Sequence, residues 1–356
     1  MDFLTEEQSV WERLQAENRP IVLYGMGDGA DKILQVFNEK KIKVSAVFAS
    51  DEFVRGHSFA GFRVQKLSEV VTQFGPDLVV VLSFASQRPE VLARFYELNE
   101  RFDLVAPDVP VAGGGLFTPD YVRTHADAFE AAYALMADEQ ARICFADIVR
   151  FKITGKIDFL RACESSKEEA FCSILRPGNG EHFVDLGAYN GDTIRELLTY
   201  TQGRFASVTA LEPDRRNFRK LARYNEECLN GRAALVHAGA WSSDTVLTFA
   251  AKAGRNSALS GQGVQTQMRS VDSVLDGRPC TLLKLDVEGA EREALCGAAQ
   301  TIARWKPRLN VACYHRNEDL YALPLQLHAL CPDYRFYLRH HPYVPAWDVN
   351  LYAAYP

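Results

Sequence analysis

The stretch "HFVDLGAYNGDT", residues 182–193, joins an apolar segment to an acidic residue and then to two glycines four positions apart. Short apolar runs are typical of buried strands, and glycine permits backbone conformations that other residues avoid. Asp185 therefore lies at the end of a predicted strand, with a glycine-bearing turn directly after it. Asp192 or Thr193 follows as the predicted cap of a helix. The stretch thus predicts a carboxylate and an accessible backbone at one strand end.

Strand and helix signals alternate from residue 182 to the C-terminus. The predicted strands are residues 182–187, 207–213, 234–239, 281–287, 309–315, 334–340 and 350–355. A proline-containing loop separates the last two strands, which predicts an antiparallel hairpin. Seven strands with this ending are typical of the doubly wound α/β sheet of class I methyltransferases. In an open sheet of this kind the cofactor lies at the carboxyl ends of the strands.

Length and composition limit the class of protein. The chain has 356 residues, 47% of them hydrophobic, and its length predicts about two globular domains. No apolar run reaches the roughly 18 residues of a membrane span, so we expect a cytoplasmic protein. The eight cysteines form no metal-like spacing, and we expect no structural metal. A net charge of -6 without a long basic block argues against a nucleic-acid partner.

The N-terminal part predicts a second, smaller α/β unit. Strand patterns at 21–25, 44–49 and 77–86 alternate with an amphipathic helix pattern at 30–40. This βαβ order predicts a parallel sheet in a Rossmann-like domain, which we place at residues 1–120.

A glycine-rich turn follows the first of these strands. Gly25, Gly27 and Ala30 match G-x-G-x-x-A, and Asp51 follows about 20 residues on, where a dinucleotide site places its ribose ligand. Two interpretations stay open. The turn binds a nucleotide, or its glycines only permit a tight turn and close helix packing.

Helical patterns replace the alternation between the two units. We assign residues 121–176 to a helical connector and 177–356 to the methyltransferase-like domain. The connector could cover the active site, pair two subunits into a homo-oligomer, or tie the domains together. The sequence does not choose among these.

The turn after residue 182 has the chemistry that S-adenosylmethionine requires. Asp185 can receive the amino-acid end of the cofactor, and Gly187 lets the backbone approach it. Glu212 ends the next strand in "ALEPD", from where a carboxylate can accept both ribose hydroxyls. Trp241 lies where an adenine ring is commonly covered, although a core position is equally open. The other predicted cofactor contacts are Ala188, Tyr189, Gly191, Asp192, Thr193, Pro213 and Asp286.

Two later stretches resemble a known family. The sequences "LLKLDVEGAEREAL" (282–295) and "YHRNEDLYALPLQLHAL" (314–330) are similar to those of the FkbM family of S-adenosylmethionine-dependent methyltransferases. The resemblance extends over about residues 165–356. It implies O-methylation, typically of a sugar hydroxyl in glycan, polysaccharide or natural-product assembly, without a required metal. The expected partner is therefore a sugar, nucleotide-sugar or glycan substrate.

Methyl transfer needs an aligned hydroxyl and a base that removes its proton. The candidate catalytic residues are His315, Asp286 and Glu288, which follow the predicted fourth and fifth strands of the C-terminal sheet. His315 is our preferred base because its ordinary pKa lies near neutrality. Asp286 is the alternative base or a ligand of the methionine amine, and His315 could instead cap a helix. These three side chains could also form a metal cluster, but we expect no metal.

Candidate substrate contacts lie elsewhere. Arg255 and Asn256 occupy a glycine- and serine-rich loop, 251–263, which is either a substrate lid or a mobile surface loop. Arg339 beside the terminal hairpin is a further candidate. The alternative to an O-methyltransferase is a nucleotide- or sugar-nucleotide-binding protein with an inactive methyltransferase fold. A methyltransferase that acts on nucleic acid or protein is disfavoured by the acidic balance.

Overall fold

The structure, a computed structural model, describes residues 5–249 and 264–355. Two sheets rich in parallel strands follow one another along the chain, with helices between them. The predicted mixed α/β fold is confirmed. Among the described residues, no helix combines the length and apolar composition needed to cross a membrane.

The N-terminal sheet has six strands in the order β3-β4-β2-β1-β5-β6. They are β1 Ile21–Tyr24, β2 Ala46–Phe48, β3 Ser58–Phe59, β4 Phe62–Gln65, β5 Val79–Leu82 and β6 Asp103–Val105. Its helices are α1 Val10–Gln15, α2 Asp28–Lys40, α3 Leu67–Phe74 and α4 Pro89–Arg101. All neighbouring strands are parallel except β3 and β4. The three predicted strands are confirmed as β1, β2 and β5, in shorter form, whereas β3, β4 and β6 were not predicted.

A run of helices leads from this sheet to the next. They are α5 Pro119–Thr124, α6 Ala126–Ala134, α7 Glu139–Thr154, α8 Ile157–Ala162 and α9 Lys167–Glu169, which continues as a π-helical turn at Ala170–Leu175. Asp138 caps α7 by accepting a hydrogen bond from Ala141 N, and Gly155 ends it in the left-handed conformation. The predicted helical pattern is therefore confirmed.

Ten strands lie in the described part of the C-terminal half, residues 177–249 and 264–355. They are β7 His182–Leu186, β8 Ser207–Leu211, β9 Ala233–Val236, β10 Gly239–Ala240, β11 Thr245–Phe249, β12 Val264–Arg269, β13 Leu282–Leu285, β14 Arg308–Ala312, β15 Arg335–His340 and β16 Val349–Ala354. Its helices are α10 Asp192–Tyr200, α11 Arg215–Leu229, α12 Val271–Leu275, α13 Glu291–Cys296, α14 Ala299–Trp305 and α15 Asp319–Leu330.

Seven of these strands form one sheet in the order β15-β16-β14-β13-β7-β8-β9. β16 pairs antiparallel with both β14 and β15, while the other neighbours are parallel. The predicted seven-stranded sheet and its terminal hairpin are confirmed. The strands β10, β12 and β11 form a separate small sheet. In chain order, its strands come after β9 and before β13.

Apolar residues connect the two halves. One hydrophobic cluster includes Tyr24 of β1, Phe145 of α7 and Leu351 of β16. Because β7 lies between β8 and β13 in the large sheet and is parallel to both, the turn after β7 meets the carboxyl ends of both neighbours. This is the edge at which an open sheet binds its ligand.

Candidate functional site

The turn after β7 requires glycine at its first position. Gly187 has a φ of +77°, and a Cβ at this residue would overlap the carbonyl oxygen of Asp286. Gly187 N and Ala188 N both donate hydrogen bonds of 3.0 Å to Leu211 O at the end of β8. The turn is therefore fastened between the ends of β8 and β13, with no room for a side chain at Gly187.

A buried ion pair supports this turn from within. Asp185 is fully buried, and its Oδ1 lies 3.2 Å from Lys284 Nζ on β13. Lys284 also donates a 2.9 Å hydrogen bond to Gly187 O. Burial raises the pKa of Asp185, although Lys284 opposes that rise. The structure thus places Asp185 beneath the turn, paired with Lys284, and its contact with the cofactor stays a prediction. Sequence reasoning missed the role of Lys284, whose signal was a cation within an apolar strand.

Glu212 lies at the neighbouring strand end with its carboxylate held in place. Its Oε2 accepts a 2.8 Å hydrogen bond from Tyr189 N, and its Oε1 accepts one of 2.8 Å from Asp214 N. Glu212 is 5% exposed, and burial raises the pKa of its carboxyl to about 7 against the two backbone donors. Each carboxylate oxygen keeps acceptor capacity beyond these bonds. The arrangement fits the predicted ribose site.

The start of α10 differs in detail from the prediction. Gly191, with a φ of +84°, is the residue before the helix, and neither Asp192 nor Thr193 caps it. Asp192 is the first helical residue, and its Oδ1 accepts a 3.0 Å bond from Thr193 N. Tyr189 is exposed and has a φ of +47°, a conformation that is uncommon outside glycine. An open, strained turn therefore faces solvent beside Glu212.

The remaining predicted cofactor contacts are spread around this edge. Ala188 is fully buried, whereas Pro213 is exposed and its carbonyl oxygen lies 3.1 Å from His237 Nε2. Trp241 is half-buried just after β10 and donates its backbone N–H to Arg269 O at 2.9 Å. Its role beside an adenine ring stays a prediction.

A second group of side chains follows β13 and β14, as predicted. His315 is fully buried, and its Nε2 lies 3.4 Å from Asp286 Oδ1 and 3.6 Å from Glu288 Oε2. The side chains of Asp286 and Glu288 are 39% and 45% exposed. Glu288 has a φ of +55°, so a strained backbone directs its carboxylate. Three predicted catalytic residues thus lie together at the edge of the sheet.

Glu291 lies on the buried side of this group and contacts His315. It is 1% exposed, and its Oε1 lies 2.9 Å from His315 Nδ1 and accepts a 2.9 Å bond from Val287 N. Glu291 also lies in the first turn of α13, where the helix dipole favours a negative charge. The sequence holds no direct signal for the contact, because it joins residues on separate elements.

The surroundings of His315 change its expected role. Burial lowers the pKa of the imidazole, but the nearby carboxylates of Glu291, Asp286 and Glu288 raise it, with a net value of about 10. A histidine with this pKa carries its proton at neutral pH and cannot accept another. The structure therefore argues against our preference for His315 as the general base in this state.

A segment from the N-terminal half borders the same edge. Ala112 N donates a 2.8 Å hydrogen bond to His315 O, and Asn317 Nδ2 donates one of 3.3 Å to Gly115 O. A Cβ at Gly289 would overlap that of Ala112. The segment before α5 thus packs directly against the turn that carries Glu288.

The predicted substrate contacts are not brought together. Arg255 and Asn256 lie outside the described residues. Arg339 is 2% exposed, and its guanidinium lies 2.7 Å from Asp138 and 3.0 Å from Glu169. This corrects the expectation for Arg339, because a buried cation that is already paired links the connector to β15.

The glycine turn of the N-terminal sheet shows no clear phosphate cradle. Gly27 precedes α2 with a φ of +105°, but Asp28 and Asp31 lie in the first helical turn, where a phosphate would meet like charge. A Cβ at Gly25 would overlap the Phe84 ring. Ala30 is fully buried, and Asp51 is exposed, with its Oδ2 3.7 Å from Lys66 Nζ. These features favour the packing role of the turn.

The C-terminal half of the chain matches a known family. Residues 185–345 match the model of the methyltransferase FkbM domain. The crystal structure of methyltransferase FkbM from Methylobacillus flagellatus KT is 24% identical, with a TM-score of 0.73 over 94% of this chain and 89% of that chain. This likeness shows that the fold is shared along nearly the whole chain.

More distant structures resemble only half of the chain. An rRNA methylase from Streptococcus thermophilus is 13% identical over 50% of this chain and 88% of that chain, with a TM-score of 0.35. Aeropyrum pernix fibrillarin, in complex with natively bound S-adenosyl-L-methionine, is 12% identical over 50% of this chain and 67% of that chain, with a TM-score of 0.34. A search of curated proteins found no match.

Proposed function

We propose that this chain, which carries an FkbM methyltransferase domain at residues 185–345, moves a methyl group from S-adenosylmethionine to a hydroxyl of a sugar, glycan or related natural product. The family supports a methyltransferase that uses S-adenosylmethionine. The hydroxyl acceptor and its sugar character are the finer parts of the proposal.

One observation carries the proposal. Glu212 is buried and fixed by two backbone donors at the end of β8, beside the Gly187 turn and the open backbone of Tyr189. A fixed carboxylate can accept hydrogen bonds from two neighbouring hydroxyls, and a ribose supplies such a pair. We therefore assign Glu212 to the ribose and the Gly187 turn to the methionine end of the cofactor.

The acceptor side follows from the order of the strands. Asp286 directly follows β13, the strand next to β7, so its half-exposed carboxylate lies beside the Gly187 turn. Glu288 and His315 lie around Asp286. Carboxylates accept hydrogen bonds from hydroxyls, so this group suits an acceptor rich in hydroxyl groups. Alignment of the hydroxyl with the methyl group is the main task left to the protein.

Product analysis tests the proposal. The full chain is incubated with isotopically labelled S-adenosylmethionine and a panel of nucleotide sugars and glycans, and the products are analysed by mass spectrometry. We expect one labelled methyl group on the hydroxyl of one class of acceptor. Glu212→Gln should lose this product, whereas Glu226→Gln, an exposed change on α11, should retain it.

The alternative outcome is equally defined. Cofactor binding without product on any hydroxyl acceptor would favour a binding protein with an inactive fold. A labelled nitrogen or carbon in place of oxygen would contradict O-methylation and leave the methyltransferase assignment intact.

A further inference from the structure

We propose that the exposed cations on the N-terminal half of α11 bind an acidic glycan chain whose sugar units carry carboxylate groups. This surface, the basic stripe, consists of Arg215, Arg216, Arg219, Lys220 and Arg223. Binding of the chain stands on the charge and the position of the stripe. The use of that chain as the methyl acceptor rests on the proposed function.

The sequence of α11 departs from what stabilises a helix. Arg215 and Arg216 are its first two residues, and its first turn holds no acidic residue, although the helix dipole favours negative charge at this end. Like charges four residues apart repel each other, and Arg219 has such a neighbour on both sides, in Arg215 and Arg223. Local preferences are broken in this way mainly at functional sites. A bound anion would offset both effects.

The stripe lacks ion-pair partners in the part of the chain that the structure describes. Its five side chains are exposed, and within residues 5–249 and 264–355 none of them pairs with a carboxylate. Asp214 is adjacent in sequence, but its Oδ1 accepts 2.9 Å hydrogen bonds from Arg216 N and Asn217 N as the cap of α11. The whole chain has a net charge of -6, so the stripe is a local excess of positive charge. Because charges beyond about 8 Å are largely screened at physiological salt, this local excess can attract an anion.

The stripe begins beside the proposed cofactor site. In the chain, α11 follows β8 and Glu212, and Lys220 Nζ lies 5.5 Å from the centre of the Tyr189 ring in the turn after β7. Asp286, on the acceptor side, follows β13, which is two strand positions from β8. Two strand spacings are about 10 Å. An acceptor that contacts both Asp286 and the stripe therefore needs more than one sugar unit.

The shape of the stripe also suits a chain. Arg215 and Arg223 are eight residues apart, which is about 12 Å along a helix. A guanidinium binds a carboxylate through two parallel hydrogen bonds, a geometry that lysine does not offer. Because the cations are exposed and lie one after another, each can pair with a separate carboxylate of a repeating chain.

The aromatic rings near the stripe favour a glycan over a single-stranded nucleic acid. Proteins that bind single strands stack successive bases on exposed aromatic rings. The ring of Tyr224 is half-buried, with the Arg195 guanidinium 4.6 Å from its centre. The ring of Phe218 is also half-buried, and its centre lies 4.7 Å from that of His237. The stripe therefore offers charge without a row of open stacking surfaces.

Fluorescence anisotropy with the full chain tests the inference. The probes are labelled octamers of galacturonate, of glucose and of uridylate RNA. We expect the galacturonate octamer to bind, with an affinity that falls as salt is added, and the neutral glucose octamer not to bind. The double variant Arg219→Gln with Arg223→Gln should weaken binding about five- to tenfold, since each exposed ion pair contributes modestly. The control, Arg304→Gln with Arg335→Gln, removes the same charge from exposed positions on α14 and β15 and should bind as the unmodified chain does.

The outcomes separate this inference from the proposed function. Equal binding of the galacturonate and glucose octamers, or equal affinity of the unmodified chain and the double variant, would overturn it. Tighter binding of the RNA octamer would overturn the assignment to a glycan. The double variant should melt no lower than the unmodified chain, because it loses a repulsion, so weaker binding would not reflect unfolding. Binding of S-adenosylmethionine without glycan binding overturns only this inference, whereas glycan binding without cofactor binding overturns only the proposed function.

Discussion

The buried carboxyl of Glu212 makes the stability of the folded chain depend on pH. Burial raises its pKa to about 7, above the value near 4.5 expected in the unfolded chain. As pH rises from about 4.5 to 7, the unfolded chain loses this proton before the folded chain does, so the group makes the folded state progressively less stable.

The corresponding prediction concerns the cofactor-free protein. Glu212→Gln should raise the melting temperature at pH 8 relative to the unmodified chain, and this advantage should be smaller at pH 5. Thermal unfolding of both proteins at the two pH values measures the difference. An advantage of equal size at both values would contradict the raised pKa.

The Asp185–Lys284 pair is a second feature of individual residues. Lys284→Met should leave the carboxylate of Asp185 buried without its partner and cost about 3 to 5 kcal/mol. The double variant Asp185→Leu with Lys284→Met should be more stable than Lys284→Met alone. Urea unfolding measures both. Additive losses in the double variant would show that the two side chains do not interact.

For single residues, the sequence predicts the position at a strand end better than it predicts which side chain that residue contacts. It placed Asp185, Glu212, Asp286 and His315 at strand ends, because apolar runs indicate where strands stop. It could not show that Lys284 pairs with Asp185, since the contact joins β7 and β13 across about a hundred residues of chain. The carboxylates around His315 likewise come from a different segment of the chain, so the sequence could not show the charge that surrounds this histidine.

The proposed cofactor and acceptor sites both depend on the turn after β7. Gly187→Ala should lower stability and weaken cofactor binding, because the added Cβ overlaps Asp286 O between the two strand ends. Gly203→Ala is the matched control. Its φ of +74° is similar, but a Cβ there has no neighbour within 4 Å.

The control separates backbone strain from steric overlap. A left-handed alanine costs about 1 to 2 kcal/mol, which is the expected loss for Gly203→Ala. Chemical denaturation and calorimetry should show a larger loss for Gly187→Ala, together with weaker binding. Equal losses in the two variants would contradict the close approach of β7 and β13.

Elements of the large sheet could be predicted because its strands are apolar runs bounded by turns. β7, β8 and β13 are buried almost throughout, so each reads as a strand without alternation. β14 alternates between half-buried and buried residues over most of its length. The short strands β3 and β6 have only two or three residues, too few for a periodic signal. The small sheet of β10, β11 and β12 was missed for related reasons, since β10 has only two residues and the central strand β12 is mostly polar and largely exposed.

At the scale of the whole molecule, the connector joins the two sheets. Met136 and Glu164 form bridges with β15, and Ala137 N donates a 2.8 Å hydrogen bond to Phe336 O. Arg339 adds ion pairs to Asp138 and Glu169. This arrangement supports the interpretation that the connector ties the halves together, whereas its part in subunit pairing stays a prediction.

Arg339→Met should therefore affect stability and not the cofactor site. We expect a loss of about 1 to 3 kcal/mol, since hydrogen bonds to charged groups are lost while the partner carboxylates are partly solvated. Arg335→Met, an exposed change on the same strand, is the control. Denaturation and cofactor titration are compared. Loss of cofactor or acceptor binding at unchanged stability would restore Arg339 to the site.

Calorimetric titration with S-adenosylmethionine tests the central claim most directly. The account predicts one cofactor per chain, and Glu212→Ala should weaken binding about tenfold or more, because the ribose loses hydrogen bonds to a charged group. Glu226→Ala on the exposed face of α11 should bind as the unmodified chain does. Absence of binding, or equal affinity of Glu212→Ala and the unmodified chain, would contradict the assignment of this sheet edge to the cofactor.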